Sequence, residues 1–171
     1  MLKRLFLGIL AVTFSVLVGM SPVAASEDFQ LTPLDYDFPY EIEAAAEEGK
    51  NIVVMFHRNG CPYCDKMRKR IFPHPKVSAF YNDNFYLIEV NMRGDLDVVT
   101  PEGEDMSEKD WAGKMGVRAT PVLAFFSKDA KQALRLTGYQ DPEMFLAAGR
   151  YVSSEAFNDG TSFLKFVRAG R

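Results

Sequence analysis

Apolar residues along this chain change rhythm several times, and each change predicts an element. Ile52-Val53-Val54-Met55-Phe56 is an unbroken apolar run, short and rich in β-branched residues. It predicts a buried strand ending at His57. Cys61–Phe72 reads as a helix, with Pro62 in the first turn, where a missing N–H costs nothing. Lys66, Arg68, Lys69 and Arg70 crowd towards its end, and Pro73 and Pro75 stop it. A short helix over Lys76–Tyr81 and a strand over Phe85–Met92 follow. Strands over Val122–Phe126 and Ala133–Tyr139, joined by a turn at Ser127–Lys131, form a hairpin pattern. Asp141 as N-cap and Pro142 at the first position open a helix whose apolar face is Phe145, Leu146, Tyr151 and Val152. A last helical piece spans Ser162–Val167. Upstream, Ala44-Ala45-Ala46 anchor a helix over Tyr40–Lys50, and Glu108–Met115 forms another short one. Alternating helices and strands ending in a hairpin predict an α/β domain, a central mixed sheet with helices on both faces.

Two segments stand outside this pattern. Lys3 and Arg4 precede an apolar stretch from Leu5 to Val18, broken by Ser21-Pro22 and followed by Val23-Ala24-Ala25. Residues 1–25 therefore read as a secretory signal peptide, the other reading being an uncleaved anchor. Residues 26–39 form a lead-in with Pro33 and Pro39 as breakers, and 40–171 the domain. Within it, about 93–107 is an insertion rich in Gly, Asp and Glu, where only Val98-Val99-Thr100 has the character of a hairpin arm. An excursion of that length is often functional, and partner choice is its expected role; a solvated acidic loop is the alternative. Net charge is −3, becoming −5 on loss of 1–25, with no basic run, so nucleic acid is not expected as a partner. No second segment is apolar enough to span a bilayer, so no stable membrane insertion is expected after cleavage. A monomer is expected.

Composition adds one decisive fact: Cys61 and Cys64 are the only cysteines. Two thiols three positions apart at a helix start form a disulfide that exchange can make and break. Backbone N–H groups at the helix N-terminus favour a thiolate on Cys61, which predicts it as the attacking sulfur. Cys64, one turn further in, is placed to resolve a mixed disulfide. Zinc would need about four ligands, with His57 and His74 the only histidines to join the pair. A purely structural disulfide would close a loop too short to constrain the unfolded chain much. A non-catalytic metal- or partner-binding module stays open beside the redox reading. No metal or organic cofactor is expected.

Cys61-Pro62-Tyr63-Cys64 between strand and helix, with Gly116-Val117-Arg118-Ala119-Thr120-Pro121-Val122 ahead of a later strand, resembles the thioredoxin superfamily. The resemblance implies the thioredoxin fold, a cis peptide at Pro121, a loop facing Cys61, and backbone pairing of substrate at Thr120. Pro62, Tyr63, Thr120 and Pro121 would form the substrate groove. Ile71-Phe72-Pro73-His74-Pro75-Lys76-Val77, Ser107-Glu108-Lys109 and the stretch from Gly138-Tyr139 to Tyr151-Val152 are similar to SoxW-like periplasmic thioredoxins. That implies a periplasmic thiol–disulfide oxidoreductase that reduces disulfide-containing exported proteins and is recharged by a membrane thiol electron donor. An oxidase or isomerase, or a glutaredoxin-like protein on account of Pro62-Tyr63, is the alternative.

The chain departs from the thioredoxin pattern in three places. Gly60 stands where a Trp usually precedes the first Cys, and Trp111, the only Trp, reads as core. Met55 stands where the buried Asp is expected, and Glu89 where the partner Lys is expected. Glu89 is accordingly read as the replacement carboxylate beside Cys64, a catalytic proton acceptor; the other reading is a strand glutamate facing solvent.

Overall fold

The computed structural model describes Phe29 and residues 36–170, so the expected signal peptide and most of the lead-in lie outside the described residues. Helix α1 (Phe38–Glu47) starts where the Asp37 carboxylate accepts the Tyr40 N–H at 3.2 Å. It opens two residues before the expected start. Pro39, read as a breaker, sits instead in the first turn, where its fixed φ suits a helix. Strand β1 (Asn51–His57) is followed by α2 (Pro62–Lys66), which runs into a wide π-turn over Met67–Ile71. Helix α3 (Pro75–Asn84) extends three residues beyond its expected end at Tyr81 and leads to β2 (Phe85–Asn91). A small hairpin, β3 (Asp97–Val99) and β4 (Asp105–Ser107), precedes α4 (Glu108–Lys114). The chain closes with β5 (Val122–Phe126), β6 (Gln132–Thr137), α5 (Pro142–Ser153) and α6 (Phe163–Arg168).

The main sheet has the order β2-β1-β5-β6. β1 and β2 run parallel, while β5 is antiparallel to both β1 and β6. This is the mixed sheet that the alternation predicts. β1 is apolar from Ile52 to Phe56 because helices cover both of its faces. Val53 and Met55 join Leu87, Leu123 and Phe125 on one face, under Cys64, Met67, Ile71, Tyr81 and Phe145. Ile52, Val54 and Phe56 face the other side, with Phe38, Ile42 and Trp111. Trp111 is fully buried, its ring 4.4 Å from Phe38 and 5.0 Å from Phe56, as its helical spacing predicts.

Two details fix the active end of the sheet. In the π-turn the Phe72 N–H reaches back five residues to the Met67 carbonyl at 3.0 Å. The extra residue in that turn lets Met67, Ile71 and Phe72 all enter the core. The segment over residues 93–107, expected as an insertion, leaves β2 beside the end of β1, where the Met92 N–H donates to the His57 carbonyl at 2.8 Å. Its two short strands pair Val98 with Met106, so the expected hairpin arm forms. Buried Glu108 ties the insertion down by accepting the Asn91 N–H at 2.8 Å.

Candidate active site

The parallel strands β1 and β2 end side by side, His57 opposite Asn91, and the site is built on that edge. Past His57 the chain turns through Gly60, whose φ of +67° is the left-handed region that suits glycine. Space is not the constraint, since a Cβ there would meet nothing within 4 Å. A side chain at this position would be strained by the backbone even though space allows it.

Cys61 caps α2 with its own sulfur, which accepts the Cys64 N–H at 3.1 Å. The two cysteines are joined as a disulfide, Cα to Cα 5.3 Å, so the structure is the oxidised form. Cys64 is completely buried and Cys61 is 3% exposed, while Pro62 and Tyr63 between them are exposed. The Thr120–Pro121 peptide is cis, as the resemblance implies. The Thr120 hydroxyl donates to the Cys61 sulfur at 3.2 Å, and the Thr120 carbonyl lies 3.7 Å from the same atom. Pro121 is buried, its carbonyl taken by the Gly138 N–H at 2.8 Å. The loop that the resemblance puts opposite Cys61 therefore touches that cysteine directly. Thr120 also holds a donor over the sulfur, where negative charge develops when the disulfide opens.

Glu89 is neither alone nor facing solvent. Alternation along β2 puts it on the Leu87 face, the face that carries Cys64. Arg68, one helical turn after Cys64, grips both carboxylate oxygens: Nε donates at 2.8 Å and an Nη at 2.7 Å. The same guanidinium donates to Asp65 at 3.1 Å. His57 Nε2 lies 3.8 Å from Glu89, and both side chains are 18% exposed. Burial holds the His57 imidazole below its ordinary pKa; Glu89 and Glu108 pull it up and Arg68 pushes it down. The bidentate bond to Glu89 is the main cause holding Arg68 above its usual value. Arg68 was read in sequence only as one of several helix-end cations. Its position four residues after Cys64 puts it near the same helix face, but nothing in the sequence pairs it with Glu89. His74 begins α3 as its N-cap residue, beyond the π-turn. Among the described residues no three His, Cys, Asp or Glu side chains gather as metal ligands.

The arrangement can close and open one disulfide, with one sulfur against a loop and the other sealed in the core. Residues 38–153 match the family model of the thioredoxin-like domain. Among solved structures, the chain is similar to a thioredoxin-fold protein from Helicobacter pylori. The two share 21% identity and a TM-score of 0.59, over 75% of this chain and 91% of that one. A thioredoxin from Thermus thermophilus is 27% identical over 73% of this chain and 90% of its own, with a TM-score of 0.56. An oxidoreductase named DsbH is 17% identical over 83% and 95%, with a TM-score of 0.55. No curated protein matches the chain in sequence. The chain belongs to the thioredoxin-like domain family, and its Cys61–Cys64 pair makes it a thiol–disulfide oxidoreductase.

Proposed function

We propose that the protein is an exported reductant of disulfides in periplasmic partner proteins, of the SoxW-like kind. The observation that carries this reading is the asymmetry of the two sulfurs. Cys61 lies under the Thr120–Pro121 loop with a hydroxyl and a backbone N–H on its sulfur, while Cys64 is sealed behind it. In the reduced protein the Cys61 thiolate attacks one sulfur of a partner disulfide. The partner S–S bond breaks, a Cys61–partner bond forms, and the other partner sulfur leaves as a thiolate that takes up a proton. Cys64 then loses its proton and attacks the Cys61 sulfur, releasing the second partner thiolate and closing Cys61–Cys64. Two electrons pass to the partner, and a membrane dithiol donor returns them by the reverse sequence.

Pro62, Tyr63, Thr120 and Pro121 line the approach. Cys61 is only 3% exposed, so the partner has to present an extended, thin segment rather than a bulky surface. Backbone pairing at Thr120 suits that shape. Glu89 serves as the proton acceptor for Cys64, held in register by Arg68. In this scheme Arg68 is a positioning residue, because it acts through Glu89. If so, Glu89→Gln alters the pH profile of the resolving step, and Arg68→Ala alters it in the same sense. An unchanged profile in Glu89→Gln removes the carboxylate from the mechanism. The whole reading is tested with Cys64→Ser in the exporting cell, which cannot resolve mixed disulfides. Exported proteins should accumulate on Cys61 and be released by reductant. Recovery of none, while Cys61 remains reactive to thiol label, would contradict it.

A further inference from the structure

The outer face of α2 and its π-turn forms a cationic groove whose charges the exchange chemistry leaves unused. Pro62, Asp65, Lys66, Lys69 and Arg70 line an open cavity of about 510 Å³. The spacing, with steps of three, one, three and one, is a single helical stripe that starts at the residue after Cys61. Between Pro62 and Arg70 there are four cations and one carboxylate, a net +3 in a chain whose net charge is −3. Asp65 and Glu89 share Arg68, so with Glu89 counted the patch keeps a net +2, carried by Lys66, Lys69 and Arg70 against Asp65. Lys66 is held over the Tyr139 ring, 4.0 Å from its centroid, with its charge kept beside the groove. Lys69 and Arg70 are exposed and have no acidic partner among the described residues. Exposed Arg118 stands two residues before Thr120, which touches Cys61.

We propose that this groove docks an acidic segment of the partner protein, flanking the disulfide that Cys61 attacks. The inference rests on the reductant reading and names the partner chemistry for the same site. Charge complementarity carries it: Lys66, Lys69 and Arg70, none paired with a carboxylate among the described residues, follow one stripe beside the nucleophile, on a chain whose net charge is negative. An open stripe of this length matches an extended acidic peptide. Opposite charges there raise the encounter rate and hold the disulfide near Cys61, and salt weakens both effects.

Two measurements decide it. The first needs no redox chemistry: a cysteine-free hexapeptide rich in Glu is titrated into labelled oxidised protein and followed by amide NMR shifts. Saturable shifts at Lys66, Lys69 and Arg70 that vanish in about 0.5 M salt are expected, since the Debye length falls to a few ångströms. Shifts elsewhere, or none, overturn the docking site. The second compares reduction of one disulfide peptide flanked by Glu with the same peptide flanked by Gln. A preference of about tenfold for Glu at low salt is expected, because two exposed ion pairs act together. Lys69→Glu/Arg70→Glu should bring that ratio to about one, and the milder Lys69→Gln/Arg70→Gln should lower it. A ratio near one in the wild type, or one that survives both double variants, overturns the proposal. So does a loss confined to glutathione disulfide, which would give the groove to a small anionic thiol. Failure of the wild type to reduce even the neutral 2-hydroxyethyl disulfide would refute the reductant reading instead, and the NMR titration would still decide the groove.

Discussion

Along Pro62–Ile71 the side chains turned to the sheet and those turned to solvent obey different constraints. Cys64 and Met67 are fully buried and Ile71 is 2% exposed, packed in one core with Met55, Phe72 and Phe145. Pro62, Tyr63, Asp65, Lys69 and Arg70 are exposed. The inner face fixes where the Cys64 sulfur sits, so its chemistry is inseparable from packing. The outer face carries exposed charge, which the docking proposal assigns to a partner. Arg68 belongs to neither set, since it is half-buried and spends its hydrogen bonds on Glu89 and Asp65.

The sharpest way to break the comparison is Cys61→Ser, which should abolish disulfide reduction while leaving the melting temperature of the reduced fold nearly unchanged. Met67→Ala attacks the inner face. It should cost about 2–5 kcal/mol of stability through lost burial and a cavity beside Cys64, read by denaturant unfolding. Gly60→Ala strains the turn that delivers Cys61 and should cost about 1–2 kcal/mol, because an L-residue resists the left-handed backbone. His57 gives a pH test. Burial lowers its folded pKa, so the unfolded chain binds the proton more readily. Its contribution to stability is present above about pH 6.5 and is lost as pH falls below that value, levelling off beneath the folded pKa. His57→Gln should remove this acid-side loss from a series of unfolding curves. The smallest effect belongs to the outer face: Lys69→Gln should change stability by no more than about 0.5 kcal/mol. A larger change would mean that the stripe is part of the fold rather than a surface for partners.

Local patterns carried most of the fold into the sequence. β1 announces itself as an apolar run, and Asp141-Pro142 marks the start of α5; its Asp141 carboxylate accepts the Met144 N–H at 2.8 Å. The cysteine pair is legible because two thiols three positions apart at a helix start have one obvious chemistry. The start of α1 was misjudged because Pro39 can either break a helix or open one, and only the Asp37 cap decides. The π-turn left no local signal, since it follows from three apolar residues, Met67, Ile71 and Phe72, that all need burial against the same sheet. Pairing of Arg68 with Glu89 is a contact across 21 residues, set by how the helix lies on β2, and no periodicity within either segment encodes it. Glu89 could be picked out as an acid on a core strand, but whether it stood alone depended on that packing.

The most direct test of the reductant reading is the equilibrium reduction potential of Cys61–Cys64, measured in thiol redox buffers with Cys61→Ser as blank. A value near −250 mV, in the range of thioredoxins, is predicted. A value near −130 mV would make the pair a strong oxidant and would contradict it.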